Sequence, residues 1–251
     1  MYHIRHKKIN IMNWNKFKEN FHPSWHEKMK PFIESDECKV IYEHLKKESK
    51  RGKQVAPLSS NVWKAFKLTD LEDLKFVMMG MCPYHTFKND LPVADGLMMS
   101  CSVTQFIQPS LTQLYKAFET EFHNGMNLSY DPTPDLSYLA EQGVLLLNAA
   151  LTTEKNKAGS HLQIWEPFIK YLFEYILVPL GVPVVFFGKD AGKYQRYTGI
   201  FSHSFVVSHP ASASYKGIDW DSEGVFSKID QLLMQTNGYS INWLKDCENP
   251  F

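Results

Sequence analysis

Short apolar runs alternate with helical patterns through the C-terminal three quarters of the chain. The apolar runs, each bounded by turn residues, cover residues 76–79, 144–147, 184–187 and 205–208. The helical patterns cover residues 110–122, 136–141, 165–177, 191–197 and 222–234. Buried strands that alternate with helices are typical of a parallel sheet covered on both faces. The pattern therefore predicts a three-layer α/β/α fold with a central four-stranded, mainly parallel sheet.

The first 55 residues follow a different pattern, which is polar and helical. Ser35 offers an N-cap for a helix that ends near Gly52. The chain contains no internal repeat and no long polar linker. We therefore expect a single domain over residues 1–251, in which a helical extension (1–55) precedes the core (56–251).

The composition is that of an ordinary globular protein. The chain has 251 residues, of which 44% are hydrophobic, and this excludes a disordered chain. No stretch approaches the roughly 18 apolar residues that a membrane span needs, and the basic start lacks the apolar segment of a secretion signal. We expect no membrane association and an intracellular location, in the cytoplasm or the nucleus.

The charge distribution and the cysteine spacing each exclude one class of protein. The net charge is zero, but residues 1–75 carry 16 Lys and Arg against 10 Asp and Glu, and the remainder carries 11 against 17. Such a chain lacks the broad basic field of a non-specific DNA coat, although a local face can still bind DNA. Its cysteines show no zinc-ligand spacing, so we expect no metal and no cofactor. They are Cys38, Cys82, Cys101 and Cys247.

Polar loops follow three of the four predicted strands. The first strand is followed by residues 80–85, the second by Asn148, and the fourth by residues 209–213. In open α/β sheets, ligands bind outside the carboxyl ends of the strands. Each loop is a weak signal alone, but together they predict one shared cleft.

These loops, in this order, resemble the signature of family 1 uracil-DNA glycosylases. The family motifs G-Q-D-P-Y-H, L-L-L-N and H-P-S-P-L correspond to residues 80–85, 145–148 and 209–213. Further similarity lies at residues 57–66, 108–111, 142–152 and 241–243, so the resemblance covers nearly the whole chain from Pro57 onwards. It implies an enzyme that extrudes one base from DNA into a pocket.

The resemblance also implies roles for individual residues. Asn148 corresponds to the family's Asn that reads the uracil edge, and Tyr84 to the Tyr that rejects the thymine methyl group. His209 corresponds to a neutral His that donates to the uracil carbonyl as negative charge develops there. Residues implied to contact DNA are Pro57, Ser59, Ser110 and Ser212.

Four substitutions separate this chain from the family pattern. Cys82 stands at the position of the catalytic Asp, which orients the attacking water and stabilises the cationic sugar; a neutral thiol does neither well. Met81 and Met99 replace the Gln and the stacking aromatic that contact the base. Ala213 replaces the intercalating Leu and is too small to fill the gap left by a flipped base, and Tyr215 offers a substitute.

Three functions stay open at this point. The first is a uracil-DNA glycosylase of reduced activity, acting through His209, with Cys82 at the catalytic position. The second is a reader of uracil-containing DNA, or a replication scaffold, that does not cut. The third is a glycosylase for a modified pyrimidine, against which Tyr84 argues by blocking bulk at the 5-position. We expect a monomer that binds single- or double-stranded DNA and has a protein inhibitor or replication protein as a further partner.

Overall fold

The computed structural model describes residues 14–123, 132–199 and 203–245. Its strands are β1 (Val55–Ala56), β2 (Phe76–Gly80), β3 (Phe87–Lys88), β4 (Leu91–Pro92), β5 (Val144–Asn148), β6 (Thr153–Glu154), β7 (Val184–Phe187) and β8 (Ser204–Val207). The central sheet has four parallel strands in the order β5-β2-β7-β8. The predicted sheet is therefore confirmed, and the last strand begins one residue earlier than expected. β1 pairs with β6, and β3 with β4, in small antiparallel ladders.

Helices flank the sheet and complete the predicted three-layer α/β/α fold. They are α1 (Trp14–Phe17), α2 (His26–Ile33), α3 (Asp36–Lys50), α4 (Lys64–Leu68), α5 (Pro109–His123), α6 (Ser137–Ala140), α7 (Leu162–Leu172), α8 (Val178–Leu180), α9 (Lys189–Gly192), α10 (Pro210–Lys216) and α11 (Val225–Asn237). None of the described helices is long and apolar enough to cross a membrane.

The sheet is apolar because both of its faces are covered. Every residue of β2, β5 and β7 is buried, as the continuous hydrophobic runs require. Large aromatic side chains fill the space beside it, and the ring of Phe76 lies 5.7 Å from that of Trp243. This packing fixes the strand ends from which the polar loops project.

The N-terminal helices pack against the core. The Ser35 hydroxyl accepts the Cys38 N–H at 3.2 Å and caps α3, which confirms the predicted start of that helix. In α2, the ring of Phe32 lies 5.0 Å from that of Phe168 in α7. The Trp25 indole N–H donates to the Thr69 carbonyl at 2.8 Å.

Candidate active site

A cavity of about 450 Å³ opens at the carboxyl ends of the central strands. Gly80 ends β2 and lies beside Asn148, the last residue of β5. Of the predicted site residues, those that line the cavity are Met81, Cys82, Tyr84, Met99, Ser110, Asn148, His209 and Tyr215. The cleft expected from the three polar loops is therefore present, and it brings the base-reading and catalytic candidates together.

Asn148 lines the cavity from the end of β5. The residue is only 4% exposed and contributes to the cavity lining. A Cβ on Gly80 would lie 2.9 Å from Asn148 Oδ1, so glycine at position 80 lets the amide keep this position. A side-chain amide that lines a cavity can form hydrogen bonds with a polar ligand bound there.

Tyr84 is fixed at the cavity wall by its hydroxyl group. That hydroxyl lies 2.6 Å from Ser110 Oγ and donates to the Met99 carbonyl at 3.3 Å. Burial raises the pKa of Tyr84, so the phenol is neutral. Ser110 is itself buried and contacts Tyr84 here, so its contact with a DNA phosphate stays a prediction.

His209 presents a neutral ring with a defined tautomer. Its Nδ1 accepts the Ala211 N–H at 3.1 Å, so the proton of the neutral ring lies on Nε2. Burial lowers the pKa of His209, and this favours the neutral form. A Cβ on Gly188 would lie 3.0 Å from His209 Cβ, so Gly188 lets the ring seat closely against the end of β7.

Cys82 lines the same cavity with a neutral thiol. Burial raises the pKa of Cys82, and the nearby carboxylate of Asp190 raises it further. The Gly159 N–H donates to Sγ at 3.2 Å, which lowers the pKa only in part. At neutral pH the group therefore carries no charge beside a bound ligand.

Comparison with known proteins gives the family. The chain is 34% identical over 233 residues to the uracil-DNA glycosylase of Streptococcus pyogenes serotype M4, and the match covers 89% of this chain and 99% of that one. The chain belongs to the uracil-DNA glycosylase family. The crystal structure of mimivirus uracil-DNA glycosylase has the same fold, with a TM-score of 0.77 and 21% identity over 92% of this chain and 89% of that one.

This uracil-DNA glycosylase family member was also compared with a second solved structure and with protein-family models. A variant of the mimivirus protein, solved in complex with UGI, has a TM-score of 0.75 and 20% identity, with coverage of 94% of this chain and 96% of that one. No protein-family model matches the sequence.

Met98, in the loop of residues 95–102, is a cavity-lining residue that the sequence analysis did not single out. Met98 lines the cavity beside Met99, which has a left-handed backbone (φ +59°). The loop is held by buried Asp95, which accepts hydrogen bonds from the hydroxyls of Ser100 and Ser102 at 2.6 Å each. The run of two methionines was the available signal, because flexible thioethers commonly fill irregular apolar gaps. Other missed lining residues include Lys189 and Asp190.

The segment after His209 is a helix rather than the expected loop. In α10, Ala213 is 5% exposed and packs inward, whereas Tyr215 is 90% exposed at the cavity mouth. Ser212 is exposed, and its hydroxyl donates to the His209 carbonyl at 2.6 Å. Pro57 is buried and Ser59 is exposed, and neither lines the cavity.

Proposed function

We propose that this protein binds a uracil flipped out of DNA and hydrolyses its N-glycosidic bond, at a rate reduced by Cys82. The observation that carries the proposal is the meeting of Asn148, Tyr84 and His209 in one cavity at the strand ends. The family of the chain supports the same substrate, since relatives across most of its length are uracil-DNA glycosylases.

Base reading falls to Asn148 and Tyr84. The Asn148 amide accepts from the uracil imide N–H and donates to the neighbouring carbonyl, a pattern that cytosine reverses. The Tyr84 ring, held by Ser110 and Met99, occupies the space that a 5-methyl group needs. Together they favour uracil over cytosine and thymine.

Bond cleavage falls to His209. As the glycosidic bond breaks, negative charge develops on the uracil carbonyl. His209 lines the cavity and carries its proton on Nε2, because Nδ1 accepts the Ala211 N–H. In the proposed mechanism this Nε2–H donates to that oxygen. A fixed donor aimed at developing charge is the same physical device as an oxyanion hole.

Cys82 limits the rate of this reaction. A carboxylate at this position would stabilise the cationic sugar and accept a proton from the attacking water. The neutral thiol supplies neither effect, since burial and Asp190 both keep it protonated. We therefore place the protein among slow glycosylases rather than efficient ones.

Asn148→Ala is expected to weaken binding of uracil-containing single-stranded DNA by about 1–3 kcal/mol, the cost of losing a bidentate base contact. Binding of the same strand with thymine in place of uracil should change little, because the pocket does not hold thymine. Fluorescence anisotropy with the two strands measures both affinities. An equal loss on both strands would show that Asn148 acts on folding rather than on base reading.

Tyr215→Ala is expected to slow uracil release from duplex DNA by about tenfold or more, since a stacked aromatic ring contributes roughly 1–3 kcal/mol. Release from single-stranded DNA should be nearly unchanged, because no base stack has to be filled there. Tyr175→Ala is the matched control, since Tyr175 is an exposed tyrosine that does not line the cavity. Equal slowing on both substrates would contradict the wedge role.

The neutral state of Cys82 supports a second candidate, a protein that binds uracil in DNA without cutting it. A protein that binds uracil in DNA without cutting it would need a partner protein to act on the DNA. The structure of the mimivirus variant in complex with UGI supports a protein partner for this chain. Alkali treatment of uracil-containing DNA after incubation separates the two candidates. Alkali-labile sites at the uracil indicate cleavage, and tight uracil-dependent binding without such sites indicates a reader.

A further inference from the structure

Two histidines and a glutamate meet on the side of the molecule where α3 packs against the core. His44 and Glu48 are four residues apart on α3, so both project from the same side of the helix. His161 comes from the turn that precedes α7. One ligand atom from each of the three residues lies within 4.8 Å of the other two.

Each of the two buried members of this cluster has one side-chain atom that makes no hydrogen bond of normal geometry. His161 Nε2 and Glu48 Oε2 lie 2.8 Å apart, and both residues are almost fully buried. Neither atom makes a hydrogen bond of acceptable geometry with any described residue. Burial of two such atoms in contact without a well-aligned hydrogen bond is unfavourable, and a cation that both atoms coordinate would satisfy them.

We propose that His44, Glu48 and His161 form a binding site for one Zn²⁺ ion. Imidazole nitrogens with a carboxylate oxygen are a donor set that zinc accepts, with water as the remaining ligand. Tetrahedral zinc at about 2.0–2.1 Å from each donor needs donor atoms about 3.3 Å apart, so small side-chain shifts suffice. The His44 side chain is 45% exposed and can rotate to admit the ion.

The surrounding contacts suit a metal at this position. Thr152 Oγ1 lies 2.8 Å from His161 Nδ1 and can accept a hydrogen bond from Nδ1–H, which leaves the Nε2 lone pair for the ion. Lys53 Nζ holds Oε1 of Glu48 at 2.7 Å and so leaves Oε2 for the metal.

The site links the N-terminal helices to the wall of the cavity. His161 lies two residues beyond Gly159, whose N–H contacts Cys82 Sγ. A metal at His161 therefore fastens this wall segment to α3. The role is structural, and it does not depend on the proposed glycosylase activity.

Chelator-treated full-length protein, titrated with ZnCl₂, is expected to bind one Zn²⁺ per chain by calorimetry. Saturating zinc should raise Tm by about 5 °C or more. His44→Ala removes a surface ligand without opening the core, and it should weaken zinc binding on the order of tenfold or more. His203→Ala, which removes an exposed histidine outside the cluster, should bind zinc like the native chain.

The proposal is overturned if zinc leaves Tm unchanged, or if zinc affects His44→Ala and His203→Ala equally. Co²⁺ provides an independent check, because a tetrahedral site gives visible absorption bands. Those bands should appear with the native chain and be absent from His44→Ala. Bands of equal strength in both proteins would place the metal elsewhere and also overturn the proposal.

Discussion

Cys82→Asp is expected to release uracil about 10² to 10³-fold faster than the native protein. The substitution restores a negative charge beside the developing sugar cation and an acceptor for the attacking water. The Gly159 N–H that now contacts Sγ at 3.2 Å is already placed to hold the new carboxylate. Single-turnover release of uracil from single-stranded DNA measures the effect.

Cys82→Ala is the control for this prediction. If the thiol has no catalytic role, the alanine variant keeps the low native rate. Abolition of a robust native activity by Cys82→Ala would instead show that the thiol takes part in the reaction. Thermal unfolding of both variants shows whether the pocket has stayed intact.

His209→Asn is expected to slow uracil release by about 10² to 10³-fold, the usual cost of removing one donor from a site of developing negative charge. Asparagine keeps an acceptor for the N-terminus of α10, where His209 Nδ1 now accepts the Ala211 N–H. The asparagine side chain is shorter than the imidazole of His209, so the variant has no donor at the position of Nε2–H. The rate of uracil release is best measured in the Cys82→Asp background. That variant starts from a faster rate, so a 10² to 10³-fold decrease is still measurable.

His203→Ala serves as a control here also, because His203 is exposed and does not line the cavity. It should leave the rate unchanged. An intact rate in His209→Asn would contradict the donor role of His209. A lower Tm in His209→Asn together with a lower rate would point to loss of the helix cap, so both quantities are needed.

The strands and their polar ends could be predicted from the sequence because burial on both faces leaves a continuous apolar signal. That signal locates residues 76–79, 144–147 and 184–187, and the polar residue after a strand marks the ligand side. Asn148 and His209 were found in this way, and the structure places both in one cavity. Their individual roles came from the resemblance to the family and not from periodicity.

Helix α10 was missed because its sequence matches a loop motif of the family. The local signal was present, since Pro210 is suited to the first turn of a helix and His209 caps it. Ala213 then lies on the buried face, and the wedge role that we propose for Tyr215 stays a prediction. The grouping of His44, Glu48 and His161 could not be predicted, because it depends on how α3 docks against the core.

The most direct test of the account is release of free uracil by the native chain under single-turnover conditions. The substrate is single-stranded DNA with one uracil, and matched strands carry thymine or cytosine at the same position. We predict slow release from the uracil strand alone, lost in Asn148→Ala. No release from the uracil strand by either the native protein or Cys82→Asp, with binding retained, would contradict the assignment as a glycosylase.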